Sequence, residues 1–178
     1  QIAIAIASTG VHSNGYSLVR RVLEHGGFTP DDPAPFQPNQ TLGQALLAPT
    51  ALYAKAVMPL IADGKVTSIA HITGGGLVDN PPRVFAKDLA LALDMTSWSL
   101  PRLFAWLQQV GQIAPMEMLR TFNCGIGMLI TVEPEDAEAA IKTILDAGYT
   151  AWQAGTLIPR GDSSAVRFDH LDQWKAAD

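Results

Sequence analysis

The sequence predicts an α/β or α+β fold in which helices pack against a mixed β-sheet. Short apolar runs with the period of strands alternate along the chain with longer stretches that have the period of amphipathic helices. The last two apolar runs flank a turn, which predicts a closing β-hairpin. The 178 residues are 48% hydrophobic and 16% charged, so the chain can bury the core of one domain.

The first apolar run, Gln1 to Ala7, alternates Ile with Ala, which predicts a strand that is covered on both faces. A polar loop follows, and then a helix that ends at Gly26-Gly27. Ser13 or Asn14 is predicted to cap this helix. The same two side chains are equally suited to contact a ligand, and the residue types leave both interpretations open.

The middle of the chain begins with a proline-rich stretch, Phe28 to Thr41, which predicts an irregular excursion. A short helical turn from Leu42 to Leu47 follows. The next helix is predicted to be capped by Thr50 and to run to about Ala62, with Pro59 causing a kink or an early stop. The remaining predicted elements are a strand at Val66 to Ala70, a strand at Asp88 to Asp94, a helix from Pro101, a helix from Pro115 to Phe122, a strand from Asn123 to Val132, a helix from Pro134 to Ala147, hairpin strands at Tyr149 to Ile158 and Ala165 to Asp169, and an exposed tail after His170.

The pattern of the segment from His71 to Asn80 predicts the end of a strand, then a glycine turn, then a polar segment that leads away from the turn. Gly74, Gly75 and Gly76 offer backbone N-H groups without side chains, which can curl toward an anion, and a following helix would add its positive end. A tight turn with positive φ angles is the alternative. His12 lies in the first strand-loop-helix unit, where imidazole can exchange a proton or simply make a structural hydrogen bond.

The net charge of −5 disfavours a broad nucleic-acid or anionic-membrane surface, and no apolar run approaches the ~20 residues of a membrane span. The single cysteine, Cys124, excludes an internal disulfide and fits a reducing cytoplasm; we expect a buried apolar side chain rather than a nucleophile. Asp79 and Asp94 are isolated, so no metal site is expected. The abrupt start in a core strand, with no basic leader, suggests an excised domain or a processed fragment.

Five segments, taken in order and spacing, resemble the C-terminal half of phosphoribosylformylglycinamidine cyclo-ligase, the aminoimidazole ribonucleotide synthetase of purine biosynthesis. The resemblance covers nearly the whole chain. The segments are Gly10 to Arg20, Leu46 to Thr50, Ala70 to Gly76, Asn80 to Arg83, and Phe122 to Met128.

The resemblance implies that residues 1–178 are a single C-terminal domain with a layered α/β fold, distantly like a ferredoxin fold. In that family, ATP activates the formyl amide oxygen of formylglycinamidine ribonucleotide, an amidine nitrogen closes the ring, and aminoimidazole ribonucleotide forms. It also implies a cytoplasmic homodimer. Most of the nucleotide and Mg²⁺ site belongs to an N-terminal ATP-binding domain that is absent here, so this chain alone is expected to be inactive.

The same resemblance implies a set of site residues on two loops. The implied catalytic residues are His12 and His71. The implied substrate- and phosphate-binding residues are Ser13, Asn14, Gly15, Thr73, Gly74, Gly75 and Gly76, and no metal ligand is implied. The pair Pro81-Pro82, where the family suggests one proline, and Asp79, where a longer acid is familiar, depart from the pattern without touching these loops.

Two alternatives remain open at the level of sequence. The first is a related ATP-dependent enzyme of the same superfamily, such as formylglycinamidine synthetase, selenophosphate synthetase, thiamine-phosphate kinase or a hydrogenase maturation factor, which a substrate panel would separate. The second is a non-catalytic binding or assembly domain that has kept the fold, which a parent protein without an acidic, ATP-binding upstream domain would favour.

Overall fold

A six-stranded mixed sheet runs through the centre of the protein. The computed structural model describes residues 1–177. The strands are β1 (Ile2–Ala7), β2 (Val66–His71), β3 (Leu89–Asp94), β4 (Ile126–Val132), β5 (Ala151–Pro159) and β6 (Val166–Asp169). They lie in the order β2-β4-β1-β5-β3-β6, and β3 with β6 is the parallel pair in an otherwise antiparallel sheet.

Helices cover both faces of the sheet. They are α1 (Tyr16–Gly26), α2 (Leu42–Leu46), α3 (Ala54–Ala62), α4 (Gly76–Asp79), α5 (Arg102–Gly111), α6 (Pro115–Thr121) and α7 (Ala137–Asp146). The larger core joins one face of the sheet to α1, α2, α4, α5 and α6, whereas a smaller core joins the other face to α3 and α7. This layered α/β arrangement confirms the predicted fold class. None of the helices within residues 1–177 combines the length and hydrophobicity needed to cross a bilayer.

The Ile-Ala alternation of β1 determines how the two cores divide. Ala3 and Ala5 face the larger core, and Ile4 and Ile6 face α3 and α7. All four side chains are fully buried, so β1 is covered on both sides as predicted. The small alanines leave room for the larger side chains of the α1 layer, while the isoleucines fill the space under α3 and α7.

The strand directions bring two loops to one edge of the sheet. β4 lies between β1 and β2 and is antiparallel to both, so β1 and β2 run in the same direction. Ala7 at the end of β1 pairs with Ile126, and His71 at the end of β2 pairs with Met128. The loops that follow β1 and β2 therefore flank the start of β4.

The predicted closing hairpin is wrong. β5 and β6 do not pair with each other, because β3 lies between them: Leu91 pairs with Leu157 of β5 on one side and with Val166 of β6 on the other. The turn residues between β5 and β6 satisfied a hairpin pattern locally. That pattern contains no information on whether a strand from elsewhere inserts between the two.

Two predicted helix caps are also wrong. Neither Ser13 nor Asn14 caps α1, which begins after Gly15 in a left-handed conformation (φ 75°) with no side-chain cap. A Cβ on Gly15 would lie 2.4 Å from the Phe122 ring, so close packing selects this backbone. Thr50 does not cap α3, which begins at Ala54 with Tyr53 in the cap position.

Pro59 does not stop α3, which continues to Ala62. β4 starts at Ile126 rather than at Asn123, because Cys124 and Gly125 have φ angles of 50° and 98° that interrupt an extended strand. The tail after His170 is largely exposed, as predicted, although Leu171 and Trp174 are partly buried against the domain. Trp174 packs edge-on against Trp98 at 5.5 Å, and the Leu100 N-H donates to the Lys175 carbonyl at 2.8 Å.

A matched pair of glycine substitutions tests the central sheet. A Cβ on Gly155 in β5 would lie 2.0 Å from the Ala92 carbonyl oxygen, so Gly155→Ala should lower the free energy of unfolding by about 3 kcal/mol or more. Gly64 has a φ of 68° and no heavy atom within 4 Å of an added Cβ, so Gly64→Ala should cost only about 1–2 kcal/mol of backbone strain. Urea denaturation of both variants measures the difference, and equal losses would contradict the close approach of β3 and β5.

Candidate functional site

Two loops meet beside the start of β4 and form the candidate site. The first loop, residues 8–15, follows β1, and the second, residues 72–76, follows β2. The ring centroids of His12 and His71 are 6.5 Å apart. A Cβ built on Gly74 would lie 3.9 Å from the Asn14 amide oxygen. The structure thus brings together the two segments that the sequence singled out separately.

His12 is a buried imidazole with one engaged nitrogen. Its side chain is only 3% exposed, and its backbone has a φ of 56°. The Thr9 backbone N-H donates to Nε2 at 3.1 Å, which makes Nε2 an acceptor and places the proton of the neutral ring on Nδ1. Nδ1 is buried and has no hydrogen-bond partner within residues 1–177. An unpaired buried donor is costly, so a water molecule or ligand group that reached this nitrogen would be stabilised by its N-H.

The two histidines differ in their surroundings. Burial, and to a lesser degree the neighbouring His71, lowers the pKa of His12 below its ordinary value. His71 is exposed at the end of β2. His12 is therefore held in its neutral form near pH 7, whereas His71 is open to solvent and to any molecule that enters between the loops.

The glycine loop is shaped by close packing and by Asn80. Gly75 and Gly76 have φ angles of 101° and 56°, and a Cβ on Gly76 would lie 2.1 Å from the Leu119 carbonyl oxygen. The buried Asn80 amide accepts a hydrogen bond from the Thr73 N-H and donates one to the Gly74 carbonyl at 3.0 Å. This side chain therefore holds the loop from inside.

The N-H groups of Gly74 and Gly75 make no hydrogen bond within residues 1–177. The Gly76 N-H donates to the Thr73 carbonyl at 3.0 Å, so the loop is the tight turn with positive φ angles that the sequence offered as the alternative. Binding of an anion by the two unbonded N-H groups stays a prediction. The helix that follows, α4, has only 4 residues. A single turn aligns few peptide dipoles, so the expected contribution from a positive helix end is minor.

Asn123 holds the first loop in a similar way. Its side-chain oxygen accepts hydrogen bonds from the Ser8 hydroxyl at 2.8 Å and the Gly125 N-H at 2.9 Å. Its amide nitrogen donates to the Gly10 carbonyl at 2.8 Å. Sequence reasoning included Asn80 and Asn123 in matched segments but assigned them no role. An asparagine next to a glycine or proline turn is the signal that could have identified both, because its amide can bond to nearby backbone.

The other predicted binding residues occupy the surface between the loops. Ser13 is exposed and Asn14 is partly buried, and neither side chain makes a hydrogen bond within residues 1–177. The Thr73 hydroxyl lies 3.4 Å from the Asn80 oxygen, a weak contact. These polar groups therefore remain free to contact a molecule that binds between the loops.

Cys124 is fully buried and its thiol contacts the Met118 carbonyl at 3.3 Å. Burial raises the pKa of this thiol far above its ordinary value, so it stays protonated, as expected of a core cysteine. Among residues 1–177, no group of three or more His, Cys, Asp or Glu side chains is placed to hold a metal ion.

A cleft of about 470 Å³ adjoins the first loop at Ser8 to Gly10 but does not coincide with the histidine site. Its lining includes Phe36 and Arg102 but neither His12 nor His71. The groups that can bind or react with a ligand are the two imidazoles and the unbonded N-H groups of Gly74 and Gly75, and they lie where the two loops meet. The candidate site is therefore this junction rather than the cleft.

Residues 1–167 match the family described as "AIR synthase related protein, C-terminal domain". The chain belongs to this family. The match includes both loops and all six strands except the end of β6.

Known proteins support the same family. A phosphoribosylformylglycinamidine cyclo-ligase of Chromobacterium violaceum is 45% identical over 89% of this chain, which covers 46% of that protein. A bifunctional purine biosynthetic protein of Pichia angusta is 43% identical over 90% of this chain and 20% of that protein. The chain thus spans less than half the length of either relative. A solved thiamine-monophosphate kinase of Stenotrophomonas maltophilia K279a shares the fold, with a TM-score of 0.61 at 14% identity over 99% of this chain and 52% of that one.

Removing the Asn80 amide should destabilise the glycine loop. Asn80→Ala leaves the Thr73 N-H and the Gly74 carbonyl without their buried partner, so the free energy of unfolding should fall by about 1–3 kcal/mol. Hydrogen exchange should accelerate at Thr73. Asn14→Ala removes an asparagine of the same site that makes no internal hydrogen bond, and it should change stability by less than about 0.5 kcal/mol. Equal effects in the two variants would contradict the supporting role of Asn80.

The lowered pKa of His12 predicts a pH-dependent stability. The unfolded chain binds a proton at this histidine near its ordinary pKa of 6.5, while the folded chain resists it. The contribution of His12 is therefore complete above that pKa and is lost as the pH falls through it. His12→Gln should flatten the acid side of the stability curve, measured by urea denaturation between about pH 7.5 and 5.5. His25→Gln, at the exposed end of α1, is the control; an unchanged slope in His12→Gln would refute the assignment.

Proposed function

We propose that this chain is the C-terminal half of an ATP-dependent cyclo-ligase that converts formylglycinamidine ribonucleotide to aminoimidazole ribonucleotide in purine biosynthesis. Family membership and 45% identity to a cyclo-ligase support the proposal. The observation that carries it is the junction of the two loops, where two imidazoles 6.5 Å apart adjoin the free N-H groups of Gly74 and Gly75.

The proposed reaction needs groups that hold phosphate oxygens and a group that accepts a proton. Backbone N-H groups of Gly74 and Gly75, with the Ser13 hydroxyl, the Asn14 amide and Thr73, are suited to hold the anionic oxygens of substrate or phosphate. Gly15 and Gly76 allow the two loops to approach Phe122 and Leu119 closely, which brings these donors together.

The two histidines take different roles in this proposal. As the amidine nitrogen bonds to the activated formyl carbon, it must lose a proton, and His71 is the exposed base beside the phosphate donors. His12 is buried and neutral, with an unpaired Nδ1-H. It serves as a hydrogen-bond donor and orients the site rather than carrying a charge. Phosphate leaves from the same carbon once the ring has closed.

ATP and Mg²⁺ fit this half of the protein unequally. The free N-H groups suit phosphate oxygens, so the chain can contribute to the phosphate end of ATP, which supplies the phosphoryl group. The described residues offer no carboxylate cluster for Mg²⁺. We assign the metal and most of the nucleotide site to an N-terminal ATP-binding half that is not part of this chain. Residues 1–178 then act as one domain of a cytoplasmic homodimer and are inactive alone.

A related ATP-dependent enzyme of the same superfamily is the second candidate, favoured by the shared fold of thiamine-monophosphate kinase at a TM-score of 0.61. That likeness, at 14% identity, concerns the fold alone, whereas the cyclo-ligase relative is 45% identical. Formylglycinamidine ribonucleotide, thiamine monophosphate and selenide offered separately to the full-length protein distinguish the candidates by which one makes ATP consumption substrate-dependent.

The cyclisation assay tests both the function and the role of His71. The full-length protein, given formylglycinamidine ribonucleotide and magnesium-ATP, should form aminoimidazole ribonucleotide and ADP, and the 178-residue chain alone should form neither. His71→Ala should lower kcat about 100-fold or more, because a positioned proton acceptor is lost. His25→Ala, which changes an exposed histidine far from the loops, should retain the full rate. Absence of product from the folded, full-length protein would refute the cyclo-ligase proposal, and an unaltered kcat in His71→Ala would exclude that histidine from the reaction.

A further inference from the structure

Tyr53 adjoins both histidines although it belongs to neither loop. It lies just before α3 and is only 4% exposed. Its ring centroid is 6.2 Å from that of His12 and 5.9 Å from that of His71, which it meets edge-on. Because the two imidazoles are 6.5 Å apart, the three rings form a triangle with nearly equal sides. Movement of Tyr53 would therefore remove a neighbour from both imidazoles at once.

The hydroxyl of Tyr53 is tied to the end of β1. It donates a hydrogen bond to the Ala7 carbonyl at 2.9 Å. Burial, and secondarily the nearby Tyr149, raises the pKa of Tyr53 far above its ordinary value. Its one proton is thus committed to a backbone carbonyl and is retained near neutral pH. Tyr53 is therefore suited to hold a position, not to transfer a proton.

Gly127 of β4 makes room for this tyrosine. A Cβ at Gly127 would lie 1.7 Å from the Tyr53 hydroxyl oxygen and 2.9 Å from Cε1 of His12. The Gly127 carbonyl also accepts a hydrogen bond at 2.9 Å from the N-H of Ile72, the residue after His71. The absence of a side chain at Gly127 thus leaves space for Tyr53 and His12, and its carbonyl holds the residue that follows His71.

We propose that Tyr53 is a positioning residue: seated on Gly127 and tied to Ala7, it fixes the relative orientation of the His12 and His71 imidazoles. For its kinetic consequence this inference rests on the proposed function, in which His71 accepts a proton and His12 donates a hydrogen bond. The ring geometry itself does not depend on that function. The ring of Tyr53 carries the effect through packing, and the hydroxyl contributes by keeping the ring in place.

Imidazole NMR spectra of the 178-residue chain test the geometric part without any assay of activity. The wild type should show contacts from Tyr53 ring protons to both imidazoles. Tyr53→Leu should move the His12 and His71 resonances toward those of free histidine, and the measured pKa of His12 should rise by at least about half a unit as water enters. Tyr53→Phe should keep most of the wild-type shifts. Phe28→Leu is the matched aromatic-to-leucine control, because the Phe28 ring packs against Trp106 at 5.3 Å and has no ring contact with Tyr53 or either histidine, so it should leave both imidazoles unchanged.

Wild-type imidazole resonances in a folded Tyr53→Leu variant would overturn the proposal. The same holds if Phe28→Leu perturbs the two histidines as much as Tyr53→Leu does. Gly127→Ala provides a second route to the same displacement, since its methyl group would occupy the place of the Tyr53 hydroxyl. Its effect on the His71 shifts should be much smaller when Tyr53→Leu is already present, and full additivity at His71 would count against the proposal. The comparison uses His71 because the added methyl group would also touch His12 directly. Should Gly127→Ala fail to fold, Tyr53→Leu alone decides.

Kinetics of the full-length protein separate this inference from the proposed function. Tyr53→Leu should lower kcat about tenfold with KM changed by less than about twofold, and Tyr53→Phe should restore most of kcat. A raised KM with an unchanged kcat would refute a positioning role. The full-length protein could lack cyclo-ligase activity while Tyr53→Leu still shifts the NMR resonances of both histidines. In that case the proposed function fails and the geometric role of Tyr53 stands.

Discussion

The site depends on the pairing of β4 with β1 on one side and with β2 on the other. Both pairs are antiparallel, so the two outer strands end at the same edge and their loops are separated only by the width of β4. Neighbouring strands in a sheet lie about 4.8 Å apart, so two such spacings, roughly 10 Å, separate β1 from β2 and set the distance between the loops. Gly127 keeps the backbone of β4 bare at this edge, and the rings of His12 and Tyr53 rest where its side chain would otherwise be.

Two buried asparagines hold the loops that follow β1 and β2 in place through hydrogen bonds to backbone. Asn80 and Asn123 each bond to backbone groups of the loop they support, and both are almost fully buried. Such bonds leave the outward-facing N-H groups of the glycine loop unpaired and ready for a ligand. Preorganised donors of this kind need little rearrangement when charge develops, which is the usual physical basis of anion stabilisation in active sites.

Much of this arrangement follows from the sequence. The Ile-Ala alternation of β1 was sufficient to predict a strand covered on both faces, and the glycine triplet after β2 was sufficient to predict a turn that needs positive φ angles. Which strands pair with each other could not be predicted in the same way. The turn between β5 and β6 has the same local pattern whether or not β3 inserts between them. The role of Tyr53 was equally inaccessible. It stands in an unremarkable apolar stretch, and only tertiary packing brings it between two histidines that are 59 residues apart in the chain.

The position of Gln1 has a consequence for how a larger protein could be assembled around this domain. Ile2 pairs with Val132 and Thr156 at the sheet edge opposite the loops, whereas Ala7 lies at the loop edge. Six residues of strand span about 20 Å. A polypeptide joined ahead of Gln1 would therefore start on the far side and would have to cross the height of the sheet before it could touch either imidazole.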